Sequence, residues 1–264
     1  MSPTHPRPMR VAAVSYLNAK PLIWGLEEDP AIELLLDVPA RLVDLLANGS
    51  ADVALLPVID YQRVEGLVAV PAGGIGSDGP TLTVRIFSKV PAEAIRALAC
   101  DPDSHTSVAL ARVLLGERFG NRPEFVPPGR ECDARLLIGD KVVCEDAGGD
   151  WACQIDLGEQ WKKLTGLPFV FAVWTAREGA ALGDLPRRLA RAREQGLANV
   201  GRIIARDARP RGWPVAVAHE YLTRYLKYDV GERELESIRR FHALAEKWGV
   251  VGRVRPLGVY PMER

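Results

Sequence analysis

From the N-terminus to Trp174, short apolar and partly β-branched runs alternate with segments of helical period, and this alternation limits the fold more than any other feature of the chain. Val11-Ala12-Ala13-Val14-Ser15-Tyr16-Leu17 reads as a strand, followed through Asn18 and Pro21 by a helical stretch ending near Glu28. Ile32 to Val38 reads as a second strand, Ala40 to Ala47 as a helix with Leu42, Val43, Leu45 and Leu46 on one side, and Ala51 to Val58 as a third strand. Such an order implies parallel strands with crossover helices. The Gly/Pro-rich segment from Pro71 to Pro80 is expected to interrupt it as a loop, before a strand from Thr81 to Ser88. A second series is expected as a helix from Pro91 to Leu98, a strand at Ala99 to Asp101, a helix from Thr106 to Phe119, and strands near Phe125 and from Leu136 to Cys144. A helix from Leu157 to Leu164 and a strand from Phe169 to Trp174 complete it. Beyond Leu185 the periodicity is helical throughout.

Two α/β series and a helical tail predict two lobes, with the chain crossing between them near Val84 and Val173. A ligand then belongs in the crevice where strand C-termini and helix N-termini converge.

Composition removes several classes of function. The 264 residues carry 34 Lys+Arg against 34 Asp+Glu, whereas a nucleic-acid-binding chain needs a basic footprint. The long uncharged stretch from Leu164 to Ala176 falls short of the roughly 18 residues a membrane-spanning helix needs. The Pro-rich start, Met1 to Pro8, is expected to be frayed, and the apolar run after it is broken by Asn18 and Lys20, so no secretory segment is read and a cytoplasmic location is expected. Cys100, Cys132, Cys144 and Cys153 form no C-x-x-C pair and are expected as reduced thiols.

Gly74-Ile75-Gly76-Ser77-Asp78-Gly79 matches G-x-G-x-x-G, but Pro80 and a strand-like run follow where a dinucleotide site needs a helix. Asp103-Ser104-His105-Thr106-Ser107 precedes an apolar-periodic helix; it reads either as capping or as an anion site built from hydroxyls and unpaired N–H groups. Ser15-Tyr16-Leu17-Asn18-Ala19-Lys20-Pro21 lies at a strand end, where α/β proteins carry ligand loops, although Asn18 could equally cap the helix. No Ser/His/Asp or Cys/His constellation can be read from spacing, and the arginines near Arg187, Arg188, Arg191 and Arg193 read as a solvated face.

At these segments the chain resembles the chorismate dehydratases of the futalosine route to menaquinone. The resemblance runs from Arg10 to about Phe241. It rests on Ser15-Tyr16-Leu17-Asn18 with Lys20-Pro21-Leu22, Ala54-Leu55-Leu56-Pro57-Val58 with Tyr61, and Gly79-Pro80 with Thr83-Val84 and Phe87-Ser88. It continues through Ser104 with Thr106-Ser107, Leu137-Ile138-Gly139-Asp140, Asp156-Leu157-Gly158 with Trp161, and Thr165 to Trp174.

The resemblance implies an α/β fold like the type II periplasmic binding proteins, two-lobed, with the ligand cleft between lobes and a C-terminal helical segment. Residues 10–84 and 175–264 are then expected to form one lobe, 85–174 the other, and 1–9 a disordered extension. It implies dehydration of chorismate to 3-[(1-carboxyvinyl)oxy]benzoate, a dicarboxylate substrate, and no cofactor, metal, nucleic acid or membrane as partner. Asn18 is implied as the catalytic polar group, with Ser15, Tyr16 and Leu17 shaping its loop. Thr106, Ser107 and Ser104 are implied to bind a substrate carboxylate, Thr83 to donate from the crossing strand, and Gly139, Asp140 and Phe169 to line the opposite wall. The base stays open between a protein group, His105 included, and the substrate's own enolpyruvyl carboxylate. The sister 1,4-dihydroxy-6-naphthoate synthases share the fold and use a histidine about where Ile138-Gly139-Asp140 stands, a role Gly139 cannot fill. A non-catalytic anion-binding protein of the same fold is the other alternative; the expected lack of an export signal, a lipid-anchor cysteine or a fused DNA-binding segment counts against it.

Overall fold

A computed structural model describes residues 7–100, 104–144 and 151–261. In the first part of the chain β1 (Met9–Val14), β2 (Ile32–Asp37) and β3 (Val53–Pro57) run parallel, with α1 (Pro39–Ala47) crossing over between β2 and β3. Leu42, Val43 and Leu46 give α1 its buried side, and β3, central in the sheet, is buried at every residue. Of the expected N-terminal extension, residues 1–6 lie outside the described residues, while Met9 already pairs with Ile32 at the start of β1. The expected helix after Asn18 is a 3-10 helix, Leu17–Ile23.

Pro71 to Pro80 departs from the expected loop, because most of it belongs to β4 (Leu67–Ser77). Its glycines are positions of close approach rather than turns. A Cβ on Gly74 would meet the Ala172 carbonyl oxygen at 2.6 Å, and one on Gly76 the Phe169 carbonyl oxygen at 2.6 Å.

The second series holds β5 (Val84–Ser88), β6 (Ala97–Cys100), α2 (His105–Phe119), β7 (Glu124–Val126), β8 (Ala134–Ile138), α3 (Asp140–Val143) and β9 (Cys153–Asp156). Then come α4 (Leu157–Thr165) and β10 (Phe169–Arg177). Two expectations fail here. The helix expected over 91–98 is a 3-10 turn, Ala92–Ala94, leading into β6, whose pairing with β7 and β8 overrides a local helical period. The strand expected over 136–144 stops at Ile138, because Gly139 (φ 59°) turns the chain into α3. The tail consists of α5 (Leu185–Ala198), α6 (Val200–Ile203), α7 (Val215–Glu220), β11 (Leu226–Lys227), α8 (Glu232–Lys247) and β12 (Gly258–Val259), with π-helical segments at Ile204–Ala208 and Tyr221–Tyr225. The two-residue strands β11 and β12, too short to show a period, pair with β4 where only helix was expected.

Among the described residues these strands form two sheets. One has the order β11-β4-β10-β3-β1-β2, with β12 also on β4; the other is β7-β6-β8-β5-β9. All of β10 pairs within the larger sheet, antiparallel to β3 and β4. Its faces serve both cores: Trp174 and Ala176 join Val11, Leu22 and Leu55, whereas Phe169, Val170 and Val173 join Leu110, Trp161 and Leu136. From the tail, α8 adds Leu235, Ile238, Phe241, Leu244 and Ala245 to this second core.

The first passage between the sheets, Asp78 to Thr83, is fastened by Asp156. Its carboxylate accepts from the backbone N–H of Thr81 (2.9 Å) and Leu82 (3.0 Å) and caps α4 through Glu159 N–H (3.1 Å). Leu82 is held at φ 68°, a left-handed conformation costly for a branched side chain. Both passages thereby meet at one carboxylate. No helix among the described residues is long and apolar enough to cross a membrane.

Candidate active site

A cavity of about 320 Å³ lies where the sheets face each other, lined from both. On the larger-sheet side β1 ends at Val14, and the chain bends through Ser15 and Tyr16 into the 3-10 helix. Leu17 is buried and anchors this bend, and Lys20 pairs with Asp207 at 3.3 Å with both groups largely covered. Tyr16, Leu17 and Asn18 line the cavity; Ser15 does not, being exposed while its carbonyl accepts from Arg211 Nη2 at 3.1 Å. The Asn18 Oδ1 atom is buried with no protein partner.

Opposite stands the start of α2. Ser104, Thr106 and Ser107 are buried against the cavity, and the Ser104 side chain makes no capping hydrogen bond. The first-turn N–H groups and the clustered hydroxyls therefore form a donor-rich end suited to an anion. Thr106 Oγ1 also accepts from Ile59 N–H at 3.5 Å. Asp103 lies outside the described residues. Beside this cluster His105 lines the cavity, its Nδ1 at 2.8 and 3.0 Å from the two carboxylate oxygens of fully buried Asp60, which Arg63 Nη1 also reaches at 3.1 Å.

Thr83 and Gly139-Asp140 meet between these walls. Gly139 N–H donates to the Thr83 carbonyl at 2.9 Å. Asp140 accepts from Trp213 Nε1 at 2.7 Å, with Arg211 Nε 4.0 Å from its other oxygen, so its carboxylate is committed and its charge compensated. Thr83 Oγ1 donates to Tyr221 Oη at 2.9 Å, and the Asn18 side chain stands near enough to the same phenol to favour its ionised form. Burial pushes the Tyr221 hydroxyl up to about 12, against the pull of Thr83 and Asn18 and with the Asp140 charge, so the phenol keeps its proton at neutral pH.

Phe169 is the other predicted residue that the cavity does not include. It is buried edge-on against Trp161 (5.2 Å), Phe171 (4.7 Å) and Phe241 (5.1 Å), and Phe171 forms the wall in its place. A register irregularity of β10 against β4 between Val170 and Ala172 re-aims this stretch, which alternation along a regular strand does not foresee. Sequence reasoning also missed Tyr221, whose only local signal is an aromatic in a helical tail.

Two lobes built on separate sheets, joined by repeated passages and enclosing a polar-ended cavity, define a protein of the periplasmic-binding-protein-like fold. The aliphatic sulphonate binding protein SsuA of Escherichia coli superposes with a TM-score of 0.66 at 15% identity, covering 98% of this chain and 96% of that one. A crystallographically solved Archaeoglobus fulgidus protein gives 0.71 at 18% identity, covering 94% and 100%. The chain belongs to the menaquinone biosynthesis family, whose model matches residues 9–247. Its relatives include the chorismate dehydratase of Thermus thermophilus, 29% identical over 89% of this chain and 94% of the relative, and that of Campylobacter jejuni, 26% identical over 86% and 93%.

Proposed function

We propose that this protein dehydrates chorismate to 3-[(1-carboxyvinyl)oxy]benzoate, an early step of menaquinone formation by the futalosine pathway. The observation that carries the reading is the pairing, across one cavity, of the hydroxyl-rich start of α2 with the unpartnered carbonyl of Asn18. Its volume suits one small substrate, and family membership and the named relatives supply the substrate.

Chorismate loses a proton from the ring carbon bearing the enolpyruvyl ether, activated vinylogously by the ring carboxylate, and the neighbouring hydroxyl departs. Aromatisation drives the reaction, which leaves the protein to position groups and stabilise charge. The N–H groups and hydroxyls of Ser104, Thr106 and Ser107 hold one carboxylate. Asn18 meets the departing hydroxyl, and Phe171 with Tyr16 and Leu17 encloses the ring. The substrate's own enolpyruvyl carboxylate accepts the proton, Asp140 being spent on Trp213 and Arg211; His105, which lines the cavity with Nδ1 held by Asp60, is the protein alternative. The two sheets stand as lobes on either side of the substrate.

Incubating the purified protein with chorismate and resolving products by mass and ultraviolet absorption tests the reading. Loss of one water with a new aromatic spectrum is expected. Unchanged chorismate with demonstrably folded protein rejects it, and turnover of cyclic dehypoxanthine futalosine in its place establishes the sister synthase activity.

A further inference from the structure

Tyr221 is buried at the junction of three parts of the chain. Its ring stacks on Trp213 at 5.0 Å and 23°, and its hydroxyl meets Thr83 from the first passage and Asn18 from the bend after β1. It opens the π-helical turn Tyr221–Tyr225, which ends where β11 joins β4. The ring is thus held by Trp213 and the hydroxyl by Thr83, and the residue lines the same cavity as Asn18 and Thr83.

Thr83 Oγ1 donates to Tyr221 Oη, and the neighbouring Asn18 side chain favours the phenolate. A phenol oxygen that accepts from Thr83 keeps its own hydrogen for something else, and the Asn18 carbonyl beside it lacks a protein partner. A donor and an acceptor are therefore left over together in the cavity. A ligand hydroxyl satisfies both, giving its hydrogen to Asn18 Oδ1 and receiving one from Tyr221.

We propose that Tyr221 is the general acid of the dehydration, an inference that rests on the chorismate reading above. As the carbon–oxygen bond breaks, its electron pair stays on the leaving oxygen. The Tyr221 O–H bond breaks and its proton joins that oxygen, so water departs rather than hydroxide. The phenolate is held by the Thr83 hydroxyl, beside Asn18, until the proton taken from the ring carbon returns to it from the substrate carboxylate. Atoms and charge balance without any co-reactant. The charged and titratable groups facing the phenol are Asp140, with Arg211 beside it, and Tyr228.

The test compares the parent, Tyr221→Phe, and a chain carrying 3-fluorotyrosine at position 221, which keeps the shape and the Trp213 stack but has a more acidic hydroxyl. Phe should lower kcat by roughly a hundredfold or more, within the range for losing a general acid, while affinity for the benzoate product is unchanged. Fluorotyrosine should keep turnover within about tenfold of the parent and bring the alkaline fall of kcat to lower pH. A folded Phe protein with near-parental kcat overturns the proposal. If Phe fails to fold, a fluorotyrosine chain whose alkaline limb does not move overturns it equally. A parent inactive on chorismate sinks the functional reading itself, a result separable from both.

Discussion

At Asn18 a carbonyl on the cavity wall has no protein donor, and under the proposed function a hydrogen bond from the substrate fills that place, since an acceptor left unmet away from water costs about 1–3 kcal/mol. Asn18→Ala should lower kcat by roughly a hundredfold or more, as for deletion of one preorganised hydrogen-bonding group, with a smaller change in substrate affinity. Asn18→Asp should be as inactive and should bind chorismate less well than the Ala variant, because it sets a carboxylate against a dianion. Steady-state kinetics on folded protein checks both, and a near-normal kcat in Asn18→Ala would leave the residue a mere turn former. Across the cavity, hydrogen bonds to a charged group contribute roughly 1.5–3 kcal/mol each, so Thr106→Ala with Ser107→Ala should weaken substrate binding at least about tenfold. Calorimetric titration beside thermal melting separates this from a capping role, which would lower Tm and spare affinity. These residues were legible because they sit at a strand end and a helix start, where local sequence signals geometry. Tyr221 was not, since what makes it matter is the approach of Thr83 and Asn18 from more than a hundred residues away in the chain.

Among the elements, β4 shows how a glycine-rich stretch can be read wrongly. Gly74 and Gly76 look like punctuation in one dimension and prove to be clearance for β10 in three. Gly74→Ala should destabilise the protein by about 1–3 kcal/mol through overpacking against the Ala172 carbonyl; the urea midpoint measures it, and an unchanged midpoint would mean that the two strands can part without cost. The crossover series β1 to β3, and α2, were legible because their apolar periods agree with the positions they occupy. The stretch over 91–100 was not, since strand and helix compete there on equal local terms and pairing with β7 and β8 decides. Phe169 and Phe171 exchange roles for a related reason: the irregularity in β10 is a property of the pair of strands, not of one sequence.

Over the whole molecule, the tail is fastened to the first part of the chain through a buried histidine. His242 on α8 donates from Nε2 to the Val58 carbonyl at 2.7 Å and accepts at Nδ1 from Gln62 Nε2 at 2.9 Å, which fixes the neutral tautomer. Burial pushes its pKa down to about 4, from an ordinary value near 6.5, against the pull of the Val58 carbonyl. A depressed folded value means the unfolded chain binds the proton first. The stabilisation is thus complete above about pH 6.5, is lost at about 1.4 kcal/mol per pH unit as pH falls toward 4, and totals about 3 kcal/mol. Denaturation of the parent across that window should show the slope, and His242→Gln should flatten it; equal slopes would refute the assignment. A different kind of consequence follows from Gly139. Its backbone, at φ 59° and ψ −134°, occupies a region nearly closed to other residues, and its N–H is tied to the Thr83 carbonyl at the passage between the sheets. Any side chain at position 139, a histidine included, would be strained while that turn persists, so at this one position the backbone has to change before the side chain can.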